Sequence, residues 1–111
     1  MQWNHLTDEE QLKALIAKSS SQPQVIFKHS TRCSISSVAY QRLQKAKQPD
    51  DIDFYYLDLI AHRPLSNKIA DLFKVHHESP QVLVIKDGKC IYDESHLAIS
   101  MTDIVDGARV A

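Results

Sequence analysis

The sequence predicts one α/β domain spanning residues 1–111, built on a mixed four- or five-stranded sheet flanked by helices. Three observations carry this. Short β-branched and aromatic runs alternate with amphipathic stretches at helical spacing. The first strands are linked through helices, as parallel strands must be, and an Asp-Gly pair further on joins two strands as an antiparallel hairpin. With 111 residues, 43% hydrophobic and 24% charged, the chain can bury one core and not two.

The elements follow in order. Trp3 to Leu6 reads as a short first strand. Thr7 is the expected N-cap of a helix, with Glu10 three residues later completing a capping-box pattern and Asp8 and Glu9 suiting the positive end of the helix dipole. Leu12, Leu15 and Ile16 form its apolar stripe, and the run SSSQPQ ends it. VIFKH, residues 25–29, is a buried strand. A second helix is expected from about Cys33 to Lys47, with Ile35, Val38, Ala39 and Leu43 inward, stopped by Pro49 and two aspartates. FYYLDL, residues 54–59, is the next strand. Pro64 suits the first turn of a third helix whose core face would be Leu65, Ile69, Leu72 and Phe73. QVLVI, residues 81–85, turns at Asp87-Gly88 into a partner over 89–93. A short amphipathic helix from Thr102, with Ile104 and Val105, closes the chain. The result is a two- or three-layer arrangement.

Charge excludes several function classes. Thirteen basic and fourteen acidic residues give a net charge of -1, so neither nucleic acid nor an anionic membrane is an expected partner. No apolar run approaches the roughly 20 residues of a membrane span. The N-terminus MQWNHLTDEE is polar and acidic, unlike a secretory signal, and the expected compartment is the cytoplasm, where thiols stay reduced. Two cysteines, Cys33 and Cys90, are too few for a disulfide scaffold.

The stretch with chemistry is HSTRCSIS, residues 29–36. Cys33 falls where a strand gives way to a helix, and open N–H groups at a helix start favour a thiolate. Arg32 adjoins it and His29 is close, so positive charge from either pushes the same way. Polar neighbours argue against a buried filler. A zinc site needs about four Cys or His ligands at short spacings, which Cys33, His29, His76, His77 and Cys90 do not provide, so no metal is expected. His76-His77 reads as a solvated loop, or as a loop facing the thiol. Ser79-Pro80 heads a strand; X-Pro bonds are the ones that adopt cis, and a proline is also simply tolerated there.

In this order, a strand, C-x-x-S at a helix start, a further strand–helix unit and a proline-led hairpin resemble the thioredoxin superfamily over nearly the whole chain. That resemblance implies a thioredoxin-like fold and a cis Pro80 facing Cys33. FKHSTRCSIS, ESPQVLVIKDGK and SHLAIS are similar to the YtxJ family, the monothiol bacilliredoxins of bacillithiol-producing bacteria. Cys33, Ile35 and Ser36 match that family's T-C-P-I-S motif; Arg32 and Ser34 depart from it, and Leu97 replaces a tryptophan.

The resemblance implies an oxidoreductase in which Cys33 removes bacillithiol from protein mixed disulfides, with bacillithiol as co-substrate and no bound cofactor. Its partners would be bacillithiolated proteins and the low-molecular-weight thiol. Arg32, Ser36 and His29 would support the thiol, the Ser36 hydroxyl as a hydrogen-bond donor to it or as an ordinary exposed helical serine. Ser79, Pro80, Gln81 and His96 would line the substrate groove, His96 near the acidic small thiol or simply at the surface. Cys90 lies about six strand residues, near 20 Å, from Pro80, beyond the roughly 7 Å reach of a disulfide, and reads as a structural residue. Two other classes fit the same features: a binding module with an unreactive Cys33, and an iron–sulfur carrier resembling monothiol glutaredoxins.

Overall fold

A computed structural model describes residues 1–110. The elements run β1 (Asn4–His5), α1 (Glu9–Lys18), β2 (Gln24–His29), α2 (Ser34–Lys45), β3 (Asp53–Asp58), α3 (Arg63–Phe73), β4 (Gln81–Lys86), β5 (Lys89–Ser95), a 3-10 turn (His96–Ala98) and α4 (Met101–Ala108). The sheet order is β1-β3-β2-β4-β5. β3 pairs in parallel with β1 and β2, while β4 is antiparallel to both β2 and β5. This is a mixed five-stranded sheet flanked by four helices, in three layers.

Side chains alternate across the sheet, so each strand feeds two cores. Val25, Phe27, Phe54, Val82 and Val84 pack with Ala39 and Leu43 of α2 and Ile104 and Ala108 of α4. Ile26, Leu57, Leu83 and Ile85 pack with Leu12 and Leu15 of α1 and Leu65 and Ile69 of α3. Every residue of β2 is buried, as befits a central strand covered on both faces. Among the described residues no helix is long and apolar enough to cross a membrane.

Local chemistry moves several expected features. Asp8, not Thr7, caps α1: its carboxylate accepts the Gln11 N–H at 2.8 Å, and Gln11, not Glu10, closes the capping box by accepting the N–H groups of Asp8 and Thr7. A carboxylate at the dipole's positive end outcompetes the preceding hydroxyl. In α2 the buried face is Ser36, Ala39 and Leu43, while Ile35 and Val38 are 41% and 44% exposed, contrary to the inward placement expected for them. The reason is Ser36: its hydroxyl is held inside, which turns the helix and leaves the two aliphatic residues outside. Ala46 is extended, so α2 ends before Lys47. In α3 the buried arc includes Ser66, and Leu72 lies outside it, 49% exposed.

The β4–β5 hairpin turns on Asp87 (φ 52°) and Gly88 (φ 75°), both left-handed, as a two-residue type I′ turn requires. It is tied to the end of α1, where the Ser19 carbonyl accepts the Asp87 N–H and the Ser19 hydroxyl accepts the Gly88 N–H. Gly107 serves a different need. A Cβ there would lie 2.7 Å from Cγ and 2.9 Å from Cβ of Tyr92, so α4 approaches β5 closely only because the side chain is missing. Gly107→Ala should therefore destabilise the fold by about 1–3 kcal/mol through overpacking, despite alanine's better helix propensity. Chemical denaturation checks this; an unchanged or higher midpoint would show that α4 shifts freely.

Candidate active site

β2 ends at His29, and the chain needs only Ser30 to Arg32 to reach Cys33, the N-cap of α2. The Cys33 N–H bonds to the Ser30 carbonyl at 3.1 Å, and the Cys33 carbonyl accepts the Ser37 N–H at 3.0 Å. Its thiol makes no capping hydrogen bond, and the residue is half-buried. The open N–H groups of the first turn lie beside it, and its chain neighbour Arg32 is exposed.

Ser36, at the third position of α2, is fully buried rather than an exposed helical serine. Its hydroxyl oxygen accepts the Ser30 N–H at 2.9 Å and lies 2.6 Å from His29 Nδ1. The His29 ring stacks on Phe27 and Tyr40 and tilts against Tyr56, at centroid distances of 5.6, 5.1 and 5.5 Å. Burial pushes His29 below the usual imidazole range, against the opposing influence of Asp58 and of the Ser36 contact. Burial therefore favours the uncharged ring, whose Nδ1 shares one hydrogen with the Ser36 hydroxyl, the donor being set by the ring's tautomer. With its proton affinity lowered by burial, His29 is a weaker source of positive charge for Cys33 than its place in the sequence suggests, and the Ser36 hydroxyl is engaged by His29 and the Ser30 N–H. Tyr40 and Tyr56 were not singled out in the sequence, although Tyr56 alternates with Phe54 along β3 and so shares its face.

The remaining candidates arrive from β4 and β5. The β2–β4 register pairs Lys28 with Gln81, so the next position sets Pro80 abreast of His29. The Ser79–Pro80 peptide bond is cis, and Pro80 is buried. The Pro80 carbonyl accepts the His96 N–H at 3.0 Å. His29, Pro80 and His96 therefore stand side by side at the sheet end that carries Cys33. His96 is exposed and lies 3.5 Å from Glu78, which also approaches His76 at 4.0 Å. Ser79 Oγ is buried without a partner.

Gln81 faces the other way. It alternates with Val82 onto the α1–α3 side, where its amide donates to the His76 carbonyl. Lys28 shares that side, fully buried, with Nζ 3.2 Å from the Ser66 carbonyl and 3.3 Å from His77 Nδ1. His77 thus packs against α3, not against the thiol. Burial without a carboxylate partner pushes the Lys28 ammonium down to about 8. The unfolded chain then holds a proton that the folded one has lost, over the window from about 8 to the ordinary lysine value of 10.5. Stability should accordingly rise with pH through that window, by up to about 3 kcal/mol, and its full cost is present below it. Denaturation of wild type and Lys28→Met across this range checks the point: the variant should lack the rise.

Cys90 sits opposite Ile85, at the far end of β4 from Pro80, and both cysteines are free. Its thiol donates to the Tyr92 carbonyl at 3.3 Å, and burial pushes it up to about 11. Such a thiol is a poor nucleophile at neutral pH.

Comparison with known proteins agrees with this architecture. Residues 4–104 match the model of the family described as monothiol bacilliredoxin BrxC. A solved structure designated a candidate oxidoreductase with a thioredoxin fold is 30% identical, with 93% of this chain and 90% of that one covered and a TM-score of 0.81. The thioredoxin of Fasciola hepatica (18% identical, 94% and 98% covered, TM-score 0.75) shares the fold. So does mitochondrial thioredoxin 3 of Saccharomyces cerevisiae (20% identical, 96% and 93% covered, TM-score 0.74). With its thioredoxin fold and a family match spanning nearly its whole length, the chain belongs to the monothiol bacilliredoxin family of thiol–disulfide redox proteins.

Proposed function

We propose that this protein removes bacillithiol from mixed disulfides on cytoplasmic proteins, with Cys33 as the only nucleophile. The observation that carries the reading is the pairing of a half-buried thiol at the start of α2 with a serine, not a cysteine, one turn later. The Cys33 thiolate attacks the bacillithiol sulfur of the mixed disulfide. A Cys33–bacillithiol disulfide forms, and the protein thiolate leaves and takes a proton from water. A second bacillithiol, as thiolate, attacks the bacillithiol sulfur held on Cys33. Oxidised bacillithiol disulfide departs, and the Cys33 thiolate is restored. No internal disulfide competes, because position 36 has no sulfur and Cys90 lies at the other end of the sheet.

Arg32 supports the thiolate electrostatically in this scheme. Cis Pro80, Ser79 and His96 line the substrate groove beside it in the same scheme. Mass spectrometry of the protein after mixing with a bacillithiolated substrate tests the proposal. One bacillithiol should appear on Cys33 and none on Cys90. A Cys33–Cys90 disulfide as the main product, or no transfer at all, would overturn it.

A further inference from the structure

Ile35 and Val38 stand uncovered on the outer side of α2. At about 100° per residue, positions 35, 38, 42 and 45 share one stripe roughly 80° wide. That stripe starts with two aliphatic side chains in the turns next to Cys33 and continues as Arg42 and Lys45. A cavity of about 320 Å³, lined by Ser37, Val38, Gln41, Arg42 and Lys45, runs along it. Arg42 donates to the Leu97 carbonyl at 2.6 Å, which sets Leu97, 50% exposed, beside the same stripe.

The charge here is one-sided. Residues 30–49 contain Arg32, Arg42, Lys45 and Lys47 and no acidic residue, in a chain whose net charge is -1. Among the described residues none of these four cations is in an ion pair. Nine helical residues at 1.5 Å each place Arg42 about 13 Å along the axis from Cys33. About four residues of extended polypeptide span that length. The aliphatic gap between thiol and cations offers nothing to a phosphate backbone and no aromatic face to a base.

We propose that this stripe docks an acidic segment of the protein substrate. An apolar residue beside the modified cysteine seats against Ile35, Val38 and Leu97, and carboxylates about four residues further on face Arg42 and Lys45. The inference names the substrate class for the dethiolation reading and rests on it.

Binding and turnover separate the two. Two labelled peptides carry the same cysteine and leucines, and glutamates or lysines at the distal positions. Their affinity for Cys33→Ser protein is read by fluorescence anisotropy. The acidic peptide should bind roughly tenfold tighter at low salt. That preference should shrink at high salt, and it should reverse in the Arg42→Glu/Lys45→Glu protein. Because Arg42 also holds Leu97, Lys45→Glu alone serves as a second variant and should weaken the preference part-way; Val38→Ser should weaken both peptides alike. Equal binding of the two peptides, or a preference that survives charge reversal, overturns the proposal. So does an equal slowing of bacillithiol disulfide exchange by charge reversal, since the cations would then act on the small thiol. If the acidic peptide binds as expected but its bacillithiol never moves to Cys33, the docking surface stands and the dethiolation reading fails.

Discussion

Cys33→Ser is expected to reduce bacillithiol removal to the uncatalysed rate, while Cys90→Ser leaves it largely intact. An alcohol does not ionise near neutral pH and does not attack a disulfide sulfur, so the loss in the first variant is complete rather than partial. The second variant removes a thiol that burial pushes up to about 11 and that sits at the far end of β4. Release of bacillithiol from a modified protein, followed by mass, reads both variants. Loss of turnover in Cys90→Ser would make Cys90 a remote resolving cysteine, and the strand geometry would have to rearrange during catalysis to allow it.

Ser36→Ala should cost more in stability than its size suggests. Two groups lose their partner at once, the buried His29 Nδ1 and the part-buried Ser30 N–H. Leaving a buried polar group unpaired costs about 1–3 kcal/mol, and a part-buried one less, so a loss of about 2–4 kcal/mol follows. Thermal unfolding should fall by an amount of order 10 °C. Turnover should change much less, because the hydrogen bonds that the hydroxyl makes run to His29 and Ser30. A variant with native stability but strongly reduced turnover would reverse that assignment and place the hydroxyl on the thiolate.

The fold was legible because strand and helix periods differ and because the turn residues agree with them. VIFKH and QVLVI carry buried-strand composition, Asp87-Gly88 has the backbone preferences of a tight hairpin, and each landed within a residue or two. Several failures share one cause, a polar group that finds a partner. Periodicity counts Ile35 and Val38 as core and ignores Ser36, yet the serine's bonds to His29 and Ser30 decide which side of α2 turns inward. Likewise Lys28 in a fully buried strand, and the Asp8–Gln11 cap, depend on partners that residue types alone do not reveal. In the candidate site, the cysteine at a helix start and the proline before β4 were readable. The lowered proton affinity of His29 was not, since it follows from burial and from rings contributed by β3 and α2.

β2 is flanked on both edges and buried at all six positions. Its amides should open to hydrogen exchange only when the whole molecule unfolds, whereas the two-residue β1 at the sheet margin should exchange through local fraying. Cys33 hangs four residues beyond the last position of β2, so the proposed nucleophile should be anchored to the most slowly exchanging part of the chain. Substrates can then pry at the outer strands and loops without disturbing the geometry of the nucleophile, and deuterium uptake should stay flat through Val25–His29 while a mixed disulfide is bound.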